Sequence, residues 1–206
     1  MKPIFFAFTL LFALGCGKNP KQLILEGVIT DGSFGTPLAG ATVTLYGVSS
    51  STNQFSAIGT TVTDAQGAYR FEFERTRTEK YTLKVNKALY FDLEEDINNS
   101  SFNLKGSTIR NYTTTAKAWV EIKVLNHNPS INDHMQYIRQ AGKINCDACC
   151  SIDTQHFYGA VDTSVYCIND GNSPYRIEYA VYGTNNTGIL EANTTPFDTT
   201  TIYLGY

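Results

Sequence analysis

Four cysteines carry the strongest chemical signal in this chain. Asn145-Cys146-Asp147-Ala148-Cys149-Cys150 gathers three thiols within a few residues, and Cys167 follows downstream. Three kinds of chemistry use such a cluster. The first is disulfide bonding. Cys149 and Cys150 are adjacent and cannot easily bond each other without strain. One arrangement joins Cys146 to Cys149 or Cys150 and ties the remaining one to Cys167. Four cysteines allow three pairings, and sequence does not choose among them. A bridge closing about seventeen residues would contribute roughly 3 kcal/mol. The second is a metal site built from these thiolates with His127, His134 or His156, because zinc favours paired cysteines at this spacing. A second Cys-x-x-Cys pair is missing. The third is a redox dithiol, which needs a lowered thiol pKa, usually at a helix start, and no helical pattern lies nearby. The disulfide reading is the expectation, with no metal and no cofactor.

Other chemistry is sparse. The chain has no Gly-x-Ser-x-Gly, no His-Glu-x-x-His, no P-loop and no dinucleotide glycine fingerprint, so no catalytic residue is assigned. Glu94-Glu95-Asp96 reads as a solvated acidic stretch or a weak calcium contact. Asp133 with His134, and Asp153 with His156, are neighbours that could pair as base and orienter. Trp119, the one tryptophan, with Tyr158, Tyr166, Tyr175 and Tyr182, could stack on sugar rings. Packing of the Trp119 ring on a facing sheet is the simpler reading. The formal net charge of -3 argues against a nucleic-acid partner.

Those residues must be positioned by strands. Ala41, Val43 and Leu45 share one face by the two-residue period, as do Tyr69, Phe71 and Phe73, and Tyr81, Leu83 and Val85. Asp64-Ala65-Gln66-Gly67 predicts a tight hairpin. Leu89 to Ile97 could hold one helical turn. Residues 105–115, rich in Thr, Ser and Asn, read as a boundary. Beyond it, Ala118, Val120, Ile122 and Val124 face one way, and Trp119, Glu121 and Lys123 the other. Further strands are expected at 136–139, 163–168, 175–182 and 200–204. Short strands spaced by turn signals predict an all-β chain of two antiparallel sandwiches, 23–104 and 105–206.

Before these comes an apolar run, Ile4 to Leu14, too short to span a bilayer as a helix. Ala13-Leu14-Gly15-Cys16 ends it, and Gly17-Lys18-Asn19-Pro20-Lys21 follows. The segment resembles a bacterial lipoprotein signal. That resemblance implies a leader over 1–15, a lipidated Cys16, a tether over 16–22, and a membrane-anchored envelope address, with the outer membrane expected. It also accounts for an odd total of five cysteines, and an oxidising envelope favours disulfides among the rest.

A second resemblance rests on Gly27-Val28, Asp31, Pro37-Leu38-Ala39-Gly40-Ala41, Val43, Leu45, Thr63-Asp64, Gly67, Tyr69, Phe71, Tyr81, Leu83 and Val85. Residues 23–104 resemble the carboxypeptidase regulatory-like domain, which implies a transthyretin-like sandwich serving as an accessory module without catalytic residues. The second sandwich reads as immunoglobulin-like or transthyretin-like. The function expected is that of a non-enzymatic envelope lipoprotein that scaffolds or binds an envelope protein or glycan, with the cysteine-rich loop as first candidate for contact. A glycan-binding accessory protein of a polysaccharide uptake system and a small fimbrial-type surface subunit are the alternatives.

Overall fold

The computed structural model describes residues 21–49, 51–76, 78–146 and 148–206. The expected leader, the lipidation site Cys16 and most of the tether lie outside the described residues. Among the described residues no helix is long and apolar enough to cross a membrane. The chain forms two β-sandwiches in sequence.

The first contains β1 (Gln22–Asp31), β2 (Thr36–Pro37), β3 (Thr42–Val48), β4 (Phe55–Val62), β5 (Ala68–Glu74), β6 (Lys80–Asn86), β7 (Leu93–Asn98), β8 (Ser107–Ile109) and β9 (Tyr112–Thr114). One sheet is built around β1. β5 and β2 pair with it antiparallel, and β8 and β9 run parallel to it on the other side. The facing sheet has the order β4-β3-β6-β7. The alternating residues meet as expected: Leu23, Leu25, Val43, Leu45, Phe71, Phe73, Tyr81 and Leu83 fill one buried core. The hairpin forms as read, with Asp64 accepting from the amides of Gln66 and Ala68 and Gly67 at φ +71°.

Two expectations are corrected here. Residues 93–98 form a strand rather than part of a helical turn: they pair antiparallel with β6 and bury Ile97, and Lys80 and Lys84 meet Asp96 and Glu94 across the pair. This ties up two of the three clustered acids. Residues 107–114, read as a boundary and assigned to the second unit, complete the first sandwich. Ile24 pairs with Ser107 and Ile29 with Tyr112, so β8 and β9 are one strand in one register, interrupted at Arg110-Asn111. Thr108 and Thr114 turn inward and are buried. Gly27 lies opposite the interruption, where a Cβ would collide with the Arg110 carbonyl. That carbonyl accepts the Tyr69 hydroxyl at 2.8 Å.

The second sandwich contains β10 (Lys117–Leu125), β11 (His134–Ala141), β12 (Gln155–Tyr158), β13 (Asp162–Asp170), β14 (Pro174–Val181), β15 (Thr187–Asn193) and β16 (Thr199–Gly205). β10 lies between antiparallel β13 and parallel β16, and the other sheet is β12-β11-β14-β15. With β8 and β9 counted as one strand and the two-residue β2 set aside, the paths are the same. In each sandwich the first strand sits between the fourth, antiparallel, and the last, parallel. The second sheet runs third, second, fifth, sixth. Val120, Ile122, Val124, Met135, Tyr175, Ile177 and Leu204 form a separate core.

Candidate functional site

No flexible spacer separates the sandwiches. Thr114 ends β9 and Lys117 begins β10, and Ala116 is fully buried between them. The Ala116 amide donates to Ser33 Oγ at 3.0 Å, and Asn172 Nδ2 donates to the Ser33 carbonyl at 2.8 Å. The Gly171 amide reaches the Ala116 carbonyl at 2.8 Å, and the Lys117 amide reaches that of Leu89 at 2.7 Å. Phe197, held at φ 66°, sets its ring 5.5 Å from Tyr90 and 6.2 Å from Phe34. A bulky side chain at positive φ is strained unless its surroundings fix it. Here its amide bonds the Lys117 carbonyl at 2.8 Å. Lys143 Nζ lies 2.7 Å from Asp170 and 4.0 Å from the centre of the Phe91 ring. Beneath the joint, buried Asp31 accepts the Tyr90 hydroxyl at 2.7 Å and caps the Ser33 amide at 2.9 Å. Burial, then the Asp31 carboxylate, pushes the Tyr90 hydroxyl up to about 12.

The joint fixes two ends. β1 runs its ten residues from Gln22 toward Ser33, roughly 30 Å, so the chain enters the first sandwich at the end opposite the joint. β10 starts at the joint and runs away from it. The segment 126–133, Gly159 and Tyr206 therefore gather at the far end of the second sandwich. Asn126 Nδ2 donates to Asp133 at 2.8 Å and to the Gly159 carbonyl at 2.9 Å there.

The cysteines form two bridges, Cys146–Cys149 and Cys150–Cys167, each with Cα atoms 5.2 Å apart. All four thiols are thereby used, which removes the thiolates that a zinc or dithiol site requires. The loop does not sit at the distal tip. β11 returns toward the joint before the loop begins, so the loop lies along the side of the sandwich. The Ala148 carbonyl accepts the Ile168 amide at 3.2 Å, so the loop adds backbone to the outer edge of β13. Unpaired strand edges invite association with other chains, and this one is met by the loop and cross-linked to it at residues 166–168. An open cavity of about 450 Å³ beside the loop is lined by Arg139, Ile144 and Ser151 among others.

The distal end carries a group that sequence reading put together differently. On the outer face of β12-β11-β14, the His134 ring is stacked between Tyr182, at 4.1 Å and 5°, and Tyr158, at 4.3 Å and 16°. His134 Nε2 lies 3.0 Å from His156 Nδ1. The base–orienter pairings are not formed. Asp133 accepts from Asn126 and from the Ser130 amide, which hold its carboxyl below the usual range. Asp153 accepts from Ser151 at 2.7 Å. The histidines face each other instead. The signal was the equal parity of His134 and His156 on neighbouring strands, but β12 was not foreseen, so nothing placed them side by side.

The five aromatic residues proposed for stacking do not share a surface. Tyr175 is fully buried in the core, its hydroxyl 3.2 Å from Cys167 Sγ, and is withdrawn as a ligand contact. Tyr158 and Tyr182 lie on one outer face. Trp119 and Tyr166 lie on the other, beside exposed Tyr203. There Glu121 accepts from Ser164, Tyr166 and Thr201 at 2.7, 3.0 and 3.0 Å. Those three hydroxyls hold its carboxyl below the usual range. His127 lies against Gly205 at the end of β16.

No family model matches the chain, and no curated protein sequence matches it. Among solved structures, it is similar to the Bacillus anthracis TIE protein at 16% identity, covering 90% of this chain and 33% of that one with a TM-score of 0.39. A streptococcal ancillary pilin gives 9% identity, 90% and 62% coverage and 0.37. Hydroxyquinol 1,2-dioxygenase from Pseudomonas putida gives 10%, 48% and 57%, and 0.36. The chain spans about a third of the first protein's length.

Proposed function

We propose that this chain is a non-enzymatic envelope lipoprotein in which Cys16 carries the lipid. In this reading the first sandwich, of the carboxypeptidase regulatory-like kind, is a stand-off. The second presents its distal end to an envelope protein or glycan. The observation that carries the reading is the joint. It ties the sandwiches end to end through Ser33, Ala116 and Asn172, while the chain enters from the opposite end of β1. A tether at one end and a rigid joint at the other suit a spacer that holds a surface away from a bilayer. Two or more acyl chains anchor stably where one does not. An extended sugar-stacking platform is less well supported, because the four accessible aromatic candidates are divided between opposite faces.

The test is mass spectrometry of the full chain, produced with its leader in a bacterial host and extracted from membranes in detergent. The expected N-terminal peptide begins at Cys16 and carries acyl mass, and Cys16→Ala releases the protein from the membrane fraction. A mature peptide that starts beyond Cys16 without lipid would reject the reading.

A further inference from the structure

We propose that His134 and His156 form a two-imidazole site for a divalent cation of the copper or nickel type. The inference stands apart from the lipid anchor, since it rests only on the outer face of the second sandwich. His134 pairs across the strands with Tyr158, and Gln136 with His156, so the two imidazoles are diagonal neighbours on one face. Their facing nitrogens, Nε2 of His134 and Nδ1 of His156, are 3.0 Å apart. Metal–imidazole bonds of about 2.0–2.1 Å put two such nitrogens roughly 2.9 Å apart at a right angle and about 3.4 Å apart at the tetrahedral angle. The observed separation suits the right-angled arrangement, which tetragonal copper and nickel prefer.

The ligands are also held in place. Tyr158 and Tyr182 clamp both faces of the His134 ring, and the Tyr182 hydroxyl is fixed by donating to Gln136 Oε1 at 2.8 Å. The two tyrosine rings fix the plane of the His134 imidazole, so His156 is the ligand that must adjust. His156 is exposed and free to swing its lone pair toward a common point. Neither nearby carboxylate competes, because Asp133 is engaged by Asn126 and Ser130 and Asp153 by Ser151. Two nitrogens without carboxylates select against magnesium and calcium, which take oxygen ligands.

The protons balance. With both rings neutral, one N–H bridges the facing nitrogens. On binding, the ring that carried it keeps a single N–H at its far nitrogen, by exchange through water. Both rings remain neutral and both facing lone pairs go to the metal, with water filling the remaining positions.

The experiment uses the intact, disulfide-bonded chain in detergent. One equivalent of Cu2+ is followed by frozen-solution electron paramagnetic resonance and by competition titration, and Ni2+ is used as a second probe. The wild type is expected to show hyperfine splitting from two equatorial imidazole nitrogens. His156→Gln and His134→Gln should each leave one such nitrogen and weaken binding at least about tenfold. His127→Gln should change neither. Because His156 is exposed, its variant keeps the fold, which circular dichroism verifies. Equal affinity and equal spectra for the wild type and His156→Gln would overturn the proposal, as would loss of the two-nitrogen signal in His127→Gln.

Discussion

The fourth strand of the first sandwich, β5, sends Tyr69, Phe71 and Phe73 into its core. Its counterpart in the second, β13, sends Val165, Cys167 and Asn169 inward. The consequences differ. In the first core the rings of Phe73, Tyr81 and Phe102 meet edge-on at centroid distances of 5.0 to 5.9 Å, a geometry worth about 0.5–1.5 kcal/mol per pair beyond the area buried. Among the described residues the second core is smaller and has no such edge-on cluster. There Cys167 reaches out of the core to Cys150 and pins the side loop to the strand edge. One strand path is thus completed in two ways, by aromatic volume in one sandwich and by a covalent tie in the other.

The largest effect should come from closing the one gap that the first sandwich needs. Gly27→Ala drives a Cβ into the Arg110 carbonyl and should cost about 3 kcal/mol. Trp119, the one tryptophan, reports only on the second sandwich. The urea midpoint by circular dichroism should therefore fall further than the midpoint by Trp119 fluorescence. Equal shifts would mean that the sandwiches unfold as one.

The same two probes reverse for the covalent tie. Replacing Cys150 and Cys167 together with alanine should cost roughly 3 kcal/mol, seen chiefly by Trp119 fluorescence. Replacing Cys146 and Cys149 removes a much shorter loop and should cost about 1.5 kcal/mol on the same chain-entropy argument. A larger loss from the second pair would show that the 146–149 bridge, and not the tie to β13, organises the loop.

Alkaline pH should weaken both sandwiches. Tyr90 is pushed up to about 12 by burial and by Asp31, and Tyr137 to about 12 by burial and by Tyr175. Free tyrosine ionises near 10, so the folded state favours the neutral hydroxyls. Ionising them therefore costs the folded state stability: nothing is lost below about pH 10, and the loss grows as the pH rises toward 12. Urea midpoints measured across that range should fall. Tyr90→Phe should flatten the fall by circular dichroism, and Tyr137→Phe should flatten it by Trp119 fluorescence.

The smallest expected change is a gain. The Tyr137 hydroxyl is buried with no partner among the described residues. An orphan of that kind costs about 1–3 kcal/mol, so Tyr137→Phe should stabilise the second sandwich by about 1 kcal/mol at neutral pH. A loss would mean that the hydroxyl is in fact engaged.

The alternating strands were legible because their inward residues are apolar at every second position, as in Tyr69-Arg70-Phe71-Glu72-Phe73 and Ala118 to Val124. β8 and β9 were not. Of their inward residues Thr108 and Thr114 are polar and only Tyr112 is aromatic, and their order comes from parallel pairing with a strand some eighty residues earlier, which no local pattern encodes. β12 was hidden for a related reason: four residues carry too little periodicity to stand out from a loop. Missing it separated His156 from His134 and left the distal group unseen. Cysteine chemistry was legible as disulfides, but the pairing required the fold, since the position of β13 decides which thiol Cys167 meets. The aromatic candidates were named by residue type alone. Strand parity and sheet membership then buried Tyr175 and divided the others between two faces.

The joint must hold the two sandwiches as one body if the distal surface is to keep a fixed distance from the start of β1. Residual dipolar couplings of backbone amides in a weakly aligned, isotope-labelled sample test this directly. Couplings from residues 22–114 and from 117–205 should fit one alignment tensor, equal in magnitude and direction. Phe197→Ala, which removes the ring between Tyr90 and Phe34, should reduce one tensor relative to the other. Different tensors in the unaltered protein would contradict the account.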